Sequence, residues 1–498
     1  MGLVFSKSRV LLCFKAICRL VGLCPASNSF FLEMAKIILK ARDLKIFDFP
    51  KDSLKTLALG ILNRHFKFLK HGEQLDVLAN VLKSPTDFAE DPLWKTFVEQ
   101  LQGKREEVKE DNQLVEPQPF KVYGRQYIAA NAYQQMVTAM TLSVSVAGAL
   151  MPDAHYGYGL PIGGVLATSN AVIPYGVGVD IGCRMALSIF ADAPNLVTQK
   201  AFEIKQAIGK FTHFGTEGGV EFNNDHEVLS RPEFGVTELL RKLHKKAHIQ
   251  LGSSGTGNHF VEFGTIELNE ANSLGLPASQ YSALLTHSGS RGLGANVAMH
   301  YTKIAMDKRN LPSHARSLAW LSLDEEAGQE YWLSMNLAGD YAKANHDCIH
   351  QNMANFLGVE VLAKVENHHN FAWKEQHLGR ELIVHRKGAT PASKGELGII
   401  PGSMATSCYL VSGKGCPEAL RSASHGAGRL HSRREAMETI SKKDMMQFLD
   451  KQGVTLIGGT REEAPQAYKD IEKIMQCQQD LVNIEGQFYP KIVRMYKE

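Results

Sequence analysis

Asp180 and Cys183 stand three residues apart in Gly178-Val-Asp180-Ile-Gly-Cys183, just after an apolar, glycine-rich run. A thiolate can bridge two borderline metal ions, and an acid three positions away can add an oxygen to one of them. Each also has a plainer reading. A Cys among Gly, Val and Ile is usually a small buried hydrophobe, and an Asp among glycines usually makes a turn. The rest of the chain shifts the balance by supplying histidines in matching settings: Gly255-Thr-Gly-Asn258-His259-Phe-Val-Glu262, Thr286-His287-Ser-Gly-Ser-Arg291-Gly292, Asn367-His-His369-Asn370-Phe371 and Ser424-His425-Gly-Ala-Gly428-Arg429. Transition-metal sites draw ligands from distant positions, so scattered His with one Asp and one Cys is an acceptable composition for a two-metal site. His346 and His350, spaced i,i+4 in a plain helical pattern, mimic a metal pair and are expected to be surface or packing residues.

The elements that must position these groups read as strands and loops. Short apolar runs, Val144 to Leu150, Gly163 to Ala167 and Arg184 to Phe190, are separated by glycine and proline. Between Asp324 and Leu357 the pattern turns helical, with Tyr331, Met335, Ala338, Tyr341 and Ala342 on one stripe. The strand runs do not alternate regularly with crossover helices. The expected class is therefore α+β, a strand-rich core with flanking helices, rather than a doubly wound sheet. Ahead of it, residues 34–115 read as a helical lead-in and linker. Leu54, Leu57 and Ile61, then Leu75, Leu78, Val81 and Leu82, recur at three-to-four spacing, and the charged stretch Lys104 to Asp111 with Pro117 and Pro119 marks the boundary. A catalytic domain is expected over 116–498.

A chain of 498 residues, 44% hydrophobic and 21% charged, can bury a large core, which excludes disorder and fibre. The net charge of +3 is more than accounted for by Lys7, Arg9, Lys15 and Arg19 in an acid-free start, so the rest is close to neutral and any nucleic acid must be held by a local basic patch. Eight cysteines without a CxxC pair point to free thiols in a reducing, cytoplasmic setting. The apolar segment Val10 to Leu23 is broken by Lys15 and Arg19 and is too short and charged to span a bilayer. Residues 1–33 read as a transit-type peptide, as a start N-myristoylated at Gly2, or as an over-extended start with Met34 opening the folded protein; the last is favoured.

Several short motifs now combine. Met151-Pro-Asp-Ala-His155-Tyr-Gly157-Tyr-Gly159-Leu-Pro-Ile-Gly-Gly164, the Asp180/Cys183 pair, Asn258-His259, His287-Ser-Gly-Ser-Arg291-Gly, His369-Asn370, Arg386-Lys-Gly-Ala-Thr390, Pro401-Gly-Ser-Met404 and His425-Gly-Ala-Gly428 occur in this order. Together they resemble the RtcB family of RNA-splicing ligases over about residues 120–498. The resemblance implies an α+β enzyme with two manganese ions per chain. It would join an RNA 3′-phosphate or 2′,3′-cyclic phosphate to a 5′-hydroxyl using GTP, and the need for an activating partner protein stays open. Carried over, Asp180, Cys183, His259, His287 and His369 match the metal ligands, with Cys183 the bridging thiolate, and His425 matches the guanylylated nucleophile. Asn258, Glu262, Asn370, Pro401, Gly402, Ser403, Met404, Cys408, Gly426, Ala427, Gly428 and Lys497 match the guanylate contacts.

Arg291, Arg429 and Arg433 are candidates to clamp RNA phosphates, the plain alternative being surface charge or an internal ion pair. The chain departs from the family's usual pattern at Cys408, where a Ser is common, at Tyr175-Gly176, and around Cys183 in Gly182-Cys-Arg-Met185. These departures bear on substrate and helper preference. A lysine-based nucleotidyltransferase is disfavoured, since no Lys-x-Asp-Gly tetrapeptide occurs. The rival readings are a dinuclear metallophosphoesterase and a catalytically idle RNA-end-binding homologue.

Overall fold

The computed structural model describes residues 39–47, 49, 52–102, 114–216 and 224–496. Residues 1–33 with their three readings, most of the charged linker, and Lys497 lie outside the described residues. By contacts the chain divides into two units, Met1–Glu110 and Asp111–Glu498. In the first, helices Asp52–His65, His71–Lys83 and Lys95–Leu101 turn their apolar stripes onto a core that includes Leu54, Leu62, Leu78, Val81, Trp94 and Phe97. Of the residues read at three-to-four spacing, Leu54, Leu78 and Val81 are buried, while Leu57, Ile61, Leu75 and Leu82 pack partly buried against this core.

The second unit is built on two sheets. An eight-stranded sheet runs Leu397–Pro401, Cys408–Gly413, Val482–Met495, Phe260–Leu268, Gln280–Ser288, Arg184–Phe190, Val361–His368, with Thr455–Ile457 added beside Val482–Met495. Every neighbouring pair along that path is antiparallel. A five-stranded sheet runs Lys121–Val122, Ser145–His155, Ile162–Thr168, Arg380–Lys387, Asn370–His377. The α+β class expected from the irregular strand spacing is the class observed. Runs such as Arg184–Phe190, buried at every position, read as continuous apolar segments because both of their faces are covered.

Helices Arg291–Lys308 and Glu326–Leu357 pack together and share a core of Leu293, Val297, Tyr301, Tyr331, Met335 and Tyr341. The longer helix ends at Gly358, whose left-handed backbone (φ 64°) lets its amide and that of Val359 close on the last turn. His346 and His350 lie on this helix and are buried, so the surface half of the expectation for them is corrected. The helix is enclosed on most of its circumference, and its polar residues must find internal partners. Among the described residues no helix is long and apolar enough to cross a membrane.

Candidate active site

Antiparallel order explains how ligands scattered along the sequence meet. In the four neighbouring strands Phe260–Leu268, Gln280–Ser288, Arg184–Phe190 and Val361–His368, the starts of the first and third share an edge with the ends of the second and fourth. His259 and Cys183 immediately precede two starts, and His287 and His369 sit at or just beyond two ends. Register confirms the alignment: His287 lies opposite both Met185 and Phe260, and His368 lies opposite Arg184. Asp180 arrives on the loop before Cys183. Its carboxylate occupies the space that a side chain at Gly289 would need, which accounts for glycine in the His287-Ser-Gly-Ser segment.

The donor atoms converge on two overlapping groups that share one sulfur. Cys183, His287 and His369 form one, and Asp180, Cys183 and His259 the other, with the donor atoms of each group within 4.8 Å of one another. Cys183 Sγ lies 3.1 Å from His287 Nε2 and 3.4 Å from His259 Nε2, His287 Nε2 lies 3.2 Å from His369 Nε2, and His259 Nε2 lies 3.0 Å from Asp180 Oδ2. His287 Nδ1 is 3.1 Å from the Asn258 carbonyl and must donate to it, so its Nε2 carries the lone pair. Burial lowers His287 to about 3 and takes His369 well below the ordinary imidazole value, keeping both neutral. Burial, then the Asp180 charge, pushes the Cys183 thiol well up. Burial by itself would raise Asp180, yet the hydrogen bond and charge of His259 hold it below the usual carboxylate value.

Neutral imidazole lone pairs packed against a thiol and a carboxylate are poorly satisfied by one another. The donor set fits a metal-binding cluster around Cys183, and a cation held there would supply the charge needed to ionise that thiol.

His425 is delivered separately. It follows Ser422–Ser424, which pairs with Ala389–Pro391, and its ring centroid lies 5.1 Å from that of His369. Its Nδ1 is 2.7 Å from Oδ2 of Asp153, and its backbone amide donates to the same oxygen at 3.2 Å. A carboxylate only accepts, so Nδ1 carries the proton and Nε2 is free to act. Asp153 is fully buried on Ser145–His155, and that strand is held from outside by Lys469, whose Nζ donates to the carbonyls of Pro152 and Ala154 at 3.3 and 2.7 Å. The absent side chain of Gly428 (φ 75°) makes room for the Asp153 carbonyl, so that glycine serves the approach of this strand.

A cavity of about 750 Å³ joins these parts. Asn258, Glu262, Pro401 to Met404, Cys408 and Gly426 to Gly428 line it with His287, His369 and His425. Burial drives Glu262 well above its ordinary value, and burial with the Glu262 charge does the same to Cys408. Asn370 is placed differently from this group. Its Oδ1 accepts from the Gly388 amide at 2.9 Å, and its Nδ2 reaches the Asp180 carbonyl at 3.4 Å, so its amide braces the ligand loop.

The three arginines also separate. Arg429 is engaged internally, with Glu463 at 3.0 Å and the carbonyls of Glu462 and His431. Arg291 bonds Ser253 and the Gly215 carbonyl, whereas Arg433, 57% exposed at the cavity, pairs at longer range with Glu462 at 4.0 Å and Glu463 at 3.8 Å.

The family model described as tRNA-splicing ligase RtcB matches residues 134–495. The chain belongs to the RtcB family. Among its relatives, the RNA-splicing ligase RtcB of Escherichia coli is 33% identical over 390 residues, covering 72% of this chain and 92% of that protein. The tRNA-splicing ligase RtcB of Methanococcus maripaludis is 31% identical over 398 residues, covering 65% and 82%. RNA-splicing ligase RtcB homolog 1 of Entamoeba dispar is 30% identical over 419 residues, covering 69% and 78%. Within this RtcB chain the residues that sequence reasoning passed over are Asp153, His155 and Lys469. His155 lines the cavity and is lowered to about 4 by burial. Asp153 and His155 stood inside a motif already singled out, but nothing in the sequence pairs that motif with His425.

Proposed function

We propose that this chain is an RNA ligase that uses GTP and two manganese ions to join an RNA 3′-phosphate or 2′,3′-cyclic phosphate to a 5′-hydroxyl, with GMP carried on His425. The observation that carries the reading is the His425–Asp153 pair standing beside a donor set suited to two cations. The lone pair of His425 Nε2 attacks the α-phosphorus of GTP, an N–P bond forms, and pyrophosphate leaves. Asp153 holds the Nδ1 proton in place and stabilises the charge that develops on the ring. A 2′,3′-cyclic end is first opened by water, the 2′-oxygen leaving as a hydroxyl, and an oxygen of the resulting RNA 3′-phosphate then displaces His425 from phosphorus. The 5′-hydroxyl attacks the capped phosphate and GMP departs.

Asp180, Cys183, His259, His287 and His369 would hold the ions, which would neutralise phosphate charge and polarise the phosphoryl oxygens. Asn258, Glu262, Pro401 to Met404, Cys408 and Gly426 to Gly428 form the wall for the guanylate, to which resemblance alone adds Lys497. Asn370 serves the nucleotide indirectly in this reading, through the Asp180 loop. Arg433 is the best placed of the three arginines for an RNA phosphate. A cytoplasmic location accords with the free thiols.

Strands ending in 3′-phosphate and 5′-hydroxyl should be sealed by the protein with GTP and manganese. His425→Ala should fail on these strands but join an RNA already capped with GMP at its 3′-phosphate, because that step needs positioning and no protein nucleophile. Sealing of ordinary 3′-phosphate RNA by His425→Ala at the wild-type rate would contradict the covalent route and favour a metallophosphoesterase-like reaction.

A further inference from the structure

The strand that brings Asp153 to His425 runs on into a short hairpin. His155 pairs with Ile162, and both line the cavity, so the loop between them, residues 156–161, rises from the nucleophile's edge. That loop carries two aromatic side chains outward: Tyr156 is 58% exposed and Tyr158 is 71% exposed, and both border the cavity. Single exposed tyrosines are common and carry no message. This pair differs in how it is held.

The loop is fastened from behind at three successive residues. Gln135, on helix Ala130–Ala139, accepts from the Gly157 amide at 3.0 Å and donates to the Gly157 and Gly159 carbonyls at 2.6 and 3.3 Å. Buried Lys387 donates from Nζ to the carbonyls of Tyr158 and Tyr175. The Tyr175 ring stands 6.2 Å from that of Tyr158, adding a second aromatic surface beside it. A loop tied down by a buried lysine and a bidentate amide, yet presenting its rings to solvent, is preorganised for contact and loses little conformational freedom on binding.

What such rings recognise is another flat π-face. At the rim of a cavity that handles RNA ends, the occupant that matches is an unpaired base, which stacks on tyrosine without regard to sequence. The cavity is also bordered by Arg433, 57% exposed, whose pairs with Glu462 and Glu463 are long, at 4.0 and 3.8 Å, and whose guanidinium faces the path of the same strand's backbone. We infer that Tyr156 and Tyr158 form a stacking platform for the terminal bases of a single-stranded RNA end entering the site. The inference rests on the ligase reading, and its test separates the two.

The full chain, Tyr158→Ala, Tyr156→Ala with Tyr158→Ala, and Tyr158→Phe are compared for binding of a fluorescent single-stranded RNA bearing a 3′-phosphate. GMP labelling by GTP and manganese, a step without RNA, is measured in parallel. Tyr158→Ala should bind the RNA roughly ten-fold more weakly and the double variant more weakly still. Tyr158→Phe should bind as wild type, and all variants should be labelled with GMP at the wild-type rate and keep its thermal midpoint. Wild-type RNA affinity in the double variant would overturn the platform and leave the ligase reading standing. Absence of both RNA binding and GMP labelling in the unaltered chain would overturn the two together.

Discussion

Asp153 Oδ2 lies 2.7 Å from His425 Nδ1, joining residues 272 positions apart through a carboxylate that has no exposure to solvent. Asp153 fixes the tautomer of His425, and in the proposed reaction it would steady the charge that develops on the ring, a division of labour familiar from triads. Asp153→Asn keeps the shape but can present an amide where the proton acceptor stood. GMP labelling of His425 should fall by about 10²–10⁴-fold, with metal content unchanged. A variant labelled at the wild-type rate would mean that Asp153 is only a strand residue.

Cys183 belongs to both donor groups, so its replacement should be felt at both. Cys183→Ser substitutes a hydroxyl too weakly acidic to bridge two cations. Metal analysis after dialysis should show loss at both sites. Two tightly held ions per chain in the variant would remove the bridging role.

Asn370 offers a sharper division. Its side chain joins the Asp180 carbonyl to the Gly388 amide, and its own carbonyl accepts from the Gly182 amide at 2.8 Å. Asn370→Ala leaves the Gly388 amide without its side-chain acceptor and frees the loop that holds Asp180. Metal affinity and GMP labelling should therefore fall together, readable by titration of manganese against labelling rate. Reduced labelling at saturating manganese with unchanged metal affinity would instead assign the amide to the nucleotide.

The helix Glu326–Leu357 is coupled to the ligand strand by a chain of hydrogen bonds. His346 Nε2 meets the Ser288 carbonyl at 3.2 Å, and Thr286 Oγ1 meets His346 Nδ1 at 2.6 Å and His350 Nε2 at 2.8 Å. Ser188 Oγ meets His350 Nδ1 at 2.7 Å. Donor counting fixes every proton: His346 gives to the carbonyl, Thr286 gives to His346, His350 gives to Thr286, and Ser188 gives to His350. Thr286→Val strands a nitrogen on each histidine and should cost about 3 kcal/mol in denaturant unfolding.

Burial first, then the Lys364 charge, lowers His350 from 6.5 to about 3. The unfolded chain therefore takes up a proton near 6.5 that the folded chain refuses until about 3. Stability is fully present above pH 6.5 and is lost as the pH falls toward 3, by up to about 1.4 kcal/mol per unit for this group. Unfolding midpoints that stay level across that interval would contradict the neutral network.

The donor groups that gather around Cys183 were legible because glycine-flanked histidines and an Asp/Cys pair are unusual settings, and the motif order identified the family. The strands Arg184–Phe190 and Val361–His368 bring Cys183 and His369 together by an antiparallel alternation that no local pattern encodes. Asp153 stood inside the Met151-to-Gly164 motif without a role of its own, because its partner His425, 272 positions on, is supplied only by the fold. His346 and His350 looked like members of an ordinary amphipathic stripe, but that helix is buried around most of its surface, where periodicity no longer separates inside from outside. Arg429 could be a phosphate clamp or an ion pair on sequence grounds; Glu463, 34 residues on, gives it an internal partner.

In the proposed reaction His425 carries GMP while the cations are held by other residues. Mass spectrometry of the intact protein and of its peptides after incubation with GTP and manganese addresses it most directly, read beside metal content. A GMP adduct on the peptide containing His425 is predicted for the wild-type chain, and none for His425→Ala at equal metal content. An unlabelled wild-type protein, or an adduct that persists in His425→Ala, would contradict it.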